Sequence, residues 1–371
     1  MEPEVRPGRD HRLDHARAGR PLKTPRAASE PERRAALRIL DCLQTRTPMP
    51  TIRRRTLIGG ALAGLALSAS RAPAAPVLRG DDPRFADVVA PGTPLLTLYA
   101  QGRWCEGLCY AKALGGLIVS DVRANRMLCV ADDGGTRVFR DPSNNANGNT
   151  LDGEGRLVTC EHRGRRVVRR EHDGRLTVLA DAFEGRPLNS PNDAALAPDG
   201  AIWFTDPVFG ITMPDEGLMA TPAQRARRVY RIDPSGTLTG MTEAVGQPNG
   251  IAFSPDGRRL YVSDTSAALK NPEGARSILA FPVEGGLKLG APATFATLEA
   301  GVPDGLAVDA DGRLYAACFD GVRVYAPDGT RLGRIATATD AANVAFGGPD
   351  GRRLFIAAGP CLHAIDLTVR G

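Results

Sequence analysis

The chain has 371 residues, enough for one large domain or two ordinary ones, and its 42% hydrophobic and 24% charged content suits a soluble globular protein. The formal net charge of +5 belongs to the first 75 residues, which hold 15 of the Lys and Arg but 7 of the Asp and Glu. The remaining 32 basic and 35 acidic residues leave no basic footprint for nucleic acid on the folded body.

Residues 1–48 are rich in Arg, Pro and Ala and show no sustained periodicity, so they read as a disordered or wrongly assigned extension upstream of a start at Met49. Residues 49–75 read as a twin-arginine signal peptide. Arg53, Arg54 and Arg55 precede an apolar run from Leu57 to Leu67, and Ala72-Pro73-Ala74 supplies a small-residue cleavage site. The apolar run is about half the length a spanning helix needs. The processed protein is therefore expected in the periplasm or outside the cell, with no stable membrane anchor. Residues 76–92 read as a linker and 93–371 as the folded domain.

Within that domain a turn motif recurs, each time followed by an apolar pair. It runs Asp152-Gly-Glu-Gly155, Pro198-Asp-Gly200, Pro255-Asp-Gly257, Asp309-Ala-Asp-Gly312 and Pro349-Asp-Gly351. Gly allows the positive φ that tight turns between short strands require. Eight residues before these glycines stand Asn147, Asn192, Asn249, Asp304 and Asn343, and Glu106 precedes a sixth turn at Gly115-Gly116. The spacings between the six positions are 41, 45, 57, 55 and 39 residues, the length of a four-stranded propeller blade. The expected fold is thus all-β, a six-bladed β-propeller. Thr93–Tyr99 is expected to complete the last blade and close the ring.

Equivalent positions of successive blades ring the propeller axis, so two carboxylates and four amides should converge at one channel mouth. A single Asn there is explained equally well by bonding to its own local backbone, but the whole set is not. Two carboxylates with amide oxygens suit one hard divalent cation, Ca²⁺ foremost, with Mg²⁺ or Mn²⁺ as alternatives. Zn²⁺ is the poorest fit, because no His or Cys occupies a key position. The seven Cys form no paired metal motif and read as small buried hydrophobes, with disulfides left open for an exported chain. His162 lies 15 residues beyond Asn147, as Asp121 does beyond Glu106 and Asp264 beyond Asn249. That slot is expected at the end of a second strand, away from the ring, with His162 in a structural role. The insertion Gly210–Arg228 swells the third repeat and is expected to border the channel mouth.

Glu106-Gly-Leu, Asn189-Ser-Pro-Asn192-Asp193, Pro248-Asn249-Gly-Ile-Ala-Phe-Ser-Pro-Asp-Gly and Pro303-Asp304-Gly-Leu, in that order, resemble the gluconolactonase and regucalcin (senescence marker protein) family. Cys160-Glu-His162 and Trp203-Phe-Thr-Asp-Pro207 resemble its exported bacterial gluconolactonase branch. The resemblance runs from about residue 93 to the C-terminus. It implies a cation held by Glu106, Asn249 and Asp304, with Asn192 facing both metal and substrate. Ser190 stands where regucalcin-like members carry an arginine, a departure at a position that bears on which sugar lactone is bound. Asn147 joins Asn192 as a substrate contact. Asp193 is expected either to orient water or substrate or to cap the local turn.

Lactone hydrolysis needs a polarised carbonyl and an activated water, and a cation with open positions supplies both. Asp304 is the expected general base, with Glu106 a charge-balancing ligand. No Gly-x-Ser-x-Gly elbow is present, which argues against a serine esterase. The partner is then a small lactone. The rival readings are phosphotriester hydrolysis at the same cation and a non-catalytic sugar- or ion-binding propeller.

Overall fold

A computed structural model describes residues 77–371, apart from 270. The extension and signal peptide expected over residues 1–75 lie outside the described residues. Runs of β-branched and apolar residues separated by Gly turns fold locally into antiparallel hairpins, which assemble as six radial blades. The inner strands of blades 1 to 6 are Cys105–Ala111, Ala146–Leu151, Ala194–Leu196, Pro248–Phe253, Pro303–Val308 and Ala341–Gly347. Each touches the inner strand of the next blade, and the sixth touches the first, so the ring is closed.

The core lies between blades. Second strands such as Leu157–Glu161, Ile202–Asp206 and Leu314–Cys318 are buried throughout, because both of their faces pack on neighbouring sheets. Trp203 and Val229 of blade 3 share one cluster with Ile251, Leu260 and Val262 of blade 4. The aromatic side chains Trp203, Tyr230, Tyr261 and Tyr315 are the largest wholly buried ones in these clusters.

Leu96–Tyr99 pairs antiparallel with Cys361–Asp366, so the outer strand of blade 6 comes from the N-terminal side of the domain. The stretch expected to be a linker is instead built into the propeller. Leu78–Gly80 adds a fifth strand to blade 5, along Arg331–Ile335. Asp82 caps the 3₁₀ turn Pro83–Asp87 by accepting from the Arg84 N–H, and Pro83 opens the turn. That turn delivers Phe85, Val88 and Val89 into a core cluster with Leu332, Ile335 and Leu354. Burial of these three apolar side chains is the reason this stretch is ordered structure. Among the described residues the cysteines are free, five buried and Cys361 partly exposed, and no helix is long and apolar enough to cross a membrane.

Candidate active site

Five inner strands carry a register shift at or beside the key residue: Glu106/Cys109, Ala146/Asn149, Pro248/Ile251, Pro303/Leu306 and Ala341/Asn343. A bulge re-aims a side chain out of the regular strand alternation, here toward the axis. A glycine follows four of the six key residues, as Gly107, Gly148, Gly250 and Gly305, and its missing Cβ lets adjacent blades approach. A Cβ on Gly250 would lie 2.2 Å from the Asp304 carbonyl oxygen, and one on Gly148 would lie 2.5 Å from that of Asn192. The Gly148 N–H donates to the Asn192 carbonyl at 2.6 Å.

This close ring brings Glu106, Asn147, Asn192, Asn249 and Asp304 to one cavity of about 250 Å³. Trp104, Phe209, Met213 and Phe319 give the same cavity apolar wall. Asn343 is not part of the wall. Its Oδ1 accepts from the Leu108 N–H of blade 1 at 3.2 Å, so the sixth ring position serves as a blade-to-blade staple. Asp193 also lies off the wall, and of its two expected roles its contacts are those of the local-backbone one. Its carboxylate takes the N–H of Ala194 at 2.9 Å and is held by the N–H of Ile251 in the next blade. A larger groove of about 830 Å³ between blades 4 and 5 lacks any convergence of buried polar groups.

Burial pushes the Glu106 carboxyl well above the usual carboxylate range, and the neighbouring Asp304 and Asp193 push it further. Asp304 is raised in the same way, first by burial and then by Glu216 and Asp193, while a hydrogen bond from Asn249 opposes the shift. Asp193 is pushed up to about 7 by burial. Among the described residues no cationic side chain pairs with Glu106 or Asp304. Two carboxylates set together in a low-dielectric site without a counter-charge are costly, and a cation with oxygen preference relieves that cost. The donor set of two carboxylates and amide oxygens fits such an ion. Among the described residues no group of three or more His, Cys, Asp or Glu is placed to hold a metal ion, so a cation here would depend on the amide oxygens as well as the two carboxylates.

Three features escaped the sequence reading. His162 is not remote from the ring: its Nε2 lies 3.3 Å from Nδ2 of both Asn147 and Asn192, and burial lowers its pKa. Second-strand hydroxyls brace the ring from behind. Ser120 donates to the Asn147 carbonyl at 2.6 Å, Thr205 to that of Asn249 at 2.7 Å and Ser263 to that of Asp304 at 2.8 Å. The recurrent pairs Ser120-Asp121, Thr205-Asp206 and Ser263-Asp264 were the available signal. The insertion borders the cavity as expected, and the detail hidden from the sequence is that Met213 and Glu216 are the side chains it sends to the wall. Glu216 is held there by Arg123 at 2.9 Å, and that guanidinium stacks 4.4 Å above the Trp104 ring.

Comparison with known proteins agrees with this architecture. A family model described as SMP-30/Gluconolactonase/LRE-like region matches residues 104–359. A gluconolactonase from Zymomonas mobilis subsp. mobilis is 30% identical over 303 residues, spanning 74% of this chain and 82% of the relative. The solved structure of a gluconolactonase from Xanthomonas campestris is 40% identical, with a TM-score of 0.73 over 78% of this chain and 94% of that one. A calcium-binding regucalcin from Agrobacterium tumefaciens shares the fold, with a TM-score of 0.62 at 22% identity over 75% of this chain and 95% of that one.

Proposed function

Since the chain belongs to the SMP-30/gluconolactonase/LRE-like family, we propose that it is a lactonase that opens a small sugar lactone in the axial cavity. The observation that carries this reading is the pair Glu106 and Asp304, two carboxylates without a cationic partner among the described residues, set beside amide side chains in one small cavity. Glu106, Asn249 and Asp304, with Asn192 on the substrate side, are the residues that would hold a divalent cation. That cation, Ca²⁺ foremost, would balance the carboxylates and supply Lewis-acid polarisation of the lactone carbonyl.

Asp304 accepts a proton from water as the water oxygen bonds to the carbonyl carbon. The tetrahedral intermediate then collapses by breaking the bond between the acyl carbon and the ring oxygen. The proton held on Asp304 passes to that leaving oxygen, which departs as a hydroxyl, and the product is a hydroxy acid. Asn147 and Asn192 meet the polar edge of the sugar ring, while Trp104, Phe209, Met213 and Phe319 cover its apolar face and exclude bulk water.

The leader sequence supports export as a folded protein, Arg53 to Arg55 and the apolar run from Leu57 being its basis. A pH-stat panel of sugar lactones, run on metal-stripped and metal-restored protein, tests the activity. Acid release that vanishes on stripping and returns with one divalent cation is expected. Equal turnover without metal rejects the metal-dependent scheme. Metal binding with no turnover on any lactone would favour a binding propeller.

A further inference from the structure

His162 follows the second strand of blade 2 and is wholly buried, and its two ring nitrogens meet unlike partners. Nδ1 lies 3.1 Å from the carbonyl oxygen of Glu216. A carbonyl can only accept, so Nδ1 carries a hydrogen. Nε2 lies 3.3 Å from the amide nitrogens of Asn147 and Asn192. In a neutral imidazole with its hydrogen on Nδ1, Nε2 is an acceptor, and both amide NH₂ groups must turn toward it. One lone pair shared between two donors accounts for the length of both contacts.

With their NH₂ groups committed to His162, the two amides have one orientation left. Their Oδ1 atoms face away from the imidazole, on the side where both residues line the cavity. The insertion clamps the ring in place. A Cβ on Gly210 would lie 2.4 Å from His162 Cβ and 2.6 Å from Cγ, so the backbone of the insertion presses directly on the histidine.

We propose that His162 is a positioning residue that sets the amide orientation of Asn147 and Asn192, so that the cavity meets two carbonyl oxygens and not two NH₂ groups. The consequence for catalysis rests on the lactonase reading above; the orientation itself rests on the hydrogen-bond chemistry of His162. An oxygen accepts from a sugar hydroxyl or faces a cation, whereas an NH₂ group in its place repels the cation. The insertion, through Gly210 and the Glu216 carbonyl, thereby acts on the ligand set by way of His162.

Two substitutions separate this role from plain packing. Glutamine carries an acceptor to the level of Nε2 and gives up the Nδ1–H contact to Glu216. Asparagine keeps a donor toward the Glu216 carbonyl and does not reach the two amides. Calorimetric Ca²⁺ titration of His162→Asn should show affinity down by about 10-fold or more, while His162→Gln stays within about 3-fold of wild type, as for loss and retention of an outer-shell partner. Melting temperatures of the two variants should be alike. On the wild-type protein, ¹⁵N-imidazole NMR, assigned by the signals lost in His162→Gln, should show a protonated Nδ1 and an unprotonated Nε2. The opposite tautomer overturns the proposal, as does wild-type Ca²⁺ affinity in His162→Asn or an equal loss in both variants. If the variants do not fold, the wild-type tautomer decides. A wild-type protein that binds no Ca²⁺ counts against the metal reading, while the tautomer still decides the orientation.

Discussion

Gly107 meets Asn147 at a distance only glycine allows: a Cβ on Gly107 would lie 1.8 Å from the Asn147 carbonyl oxygen. The same contact recurs between Gly250 and Asp304 at 2.2 Å, so the ring is assembled by close backbone approach. Gly250→Ala tests that approach without backbone strain, because only Gly107 of the two has a positive φ, +53°. It should cost at least the upper part of the roughly 1–3 kcal/mol typical of overpacking and displace Asp304. Gly155→Ala is the reference, with φ +75° and nothing within 4 Å of its Cβ, and should cost only about 1–2 kcal/mol of left-handed strain. Denaturant melts paired with metal titration read both effects. A Gly250→Ala protein as stable as Gly155→Ala, with unchanged metal affinity, would show that the blades do not depend on this contact.

Asp206 sets a pH limit on stability. Asp121 and Glu161, in the matching second-strand slots, pair with Arg126 and with Arg140 and Arg166. Among the described residues Asp206 forms no such ion pair, its carboxylate accepts the Asn189 N–H at 2.8 Å, and burial pushes its pKa up to about 7. An unfolded aspartate titrates near about 3.9, so between the two values the native state holds more protons than the unfolded chain. This group therefore contributes nothing adverse below about pH 4 and progressively destabilises the fold as pH rises through about 7. Asp206→Asn removes the titration. Its stability relative to wild type should improve by an amount on the order of a few kcal/mol between pH 5 and pH 8, measured by urea unfolding. A pH-independent difference would show that Asp206 does not titrate in that range.

Four of the five cavity residues were legible because a turn glycine sits eight residues after each, from Asn147–Gly155 to Asp304–Gly312, and Glu106 completed the blade count through its similar run before the turn at Gly115-Gly116. The offset failed for His162 for a geometric reason. Cys105 pairs with Asp121 across sixteen residues, but Ala146 pairs with Glu161 across fifteen, so the blade 2 hairpin is one residue shorter. A slip of one residue exchanges the faces of a strand, and the slot assigned to His162 is occupied by Glu161. Asn343 shows the converse limit: its spacing marks the ring, yet its oxygen is spent on the Leu108 N–H, a partner 235 residues away that no local pattern announces. The packing of Phe85, Val88 and Val89 was hidden because three apolar residues in a short turn carry no strand alternation.

Export is tested by conservative substitution. Replacing Arg54 and Arg55 by Lys keeps the positive charge but removes the paired arginines that a twin-arginine route reads. Cell fractionation should then find the precursor retained in the cytoplasm, while the unaltered chain is processed near Ala74. Equal delivery of both proteins would reject the twin-arginine assignment.

The ring itself is tested by residues from three blades that approach one another only in the closed propeller. If Glu106, Asn249 and Asp304 share one cation, substitution of each should weaken the same binding isotherm. Asn249→Ala deletes a neutral ligand, so excess metal should partly restore activity. Glu106→Ala deletes a charge as well as a ligand, and its metal affinity should fall further. Asp304→Asn keeps the side-chain shape and one oxygen but cannot take a proton near neutral pH. It should bind metal measurably and turn over slowly, with kcat down by about 10²-fold or more if general-base catalysis has its usual size. Asn343→Ala is the control, because Asn343 Oδ1 bonds the Leu108 N–H and not the cavity. It should lose about 1–3 kcal/mol of stability through one unsatisfied buried donor. Its metal affinity and kcat should remain near wild type. Titration and initial rates on the four proteins separate the roles. Normal turnover by Asp304→Asn would remove Asp304 as the base, and normal metal affinity in Glu106→Ala would dissolve the shared site.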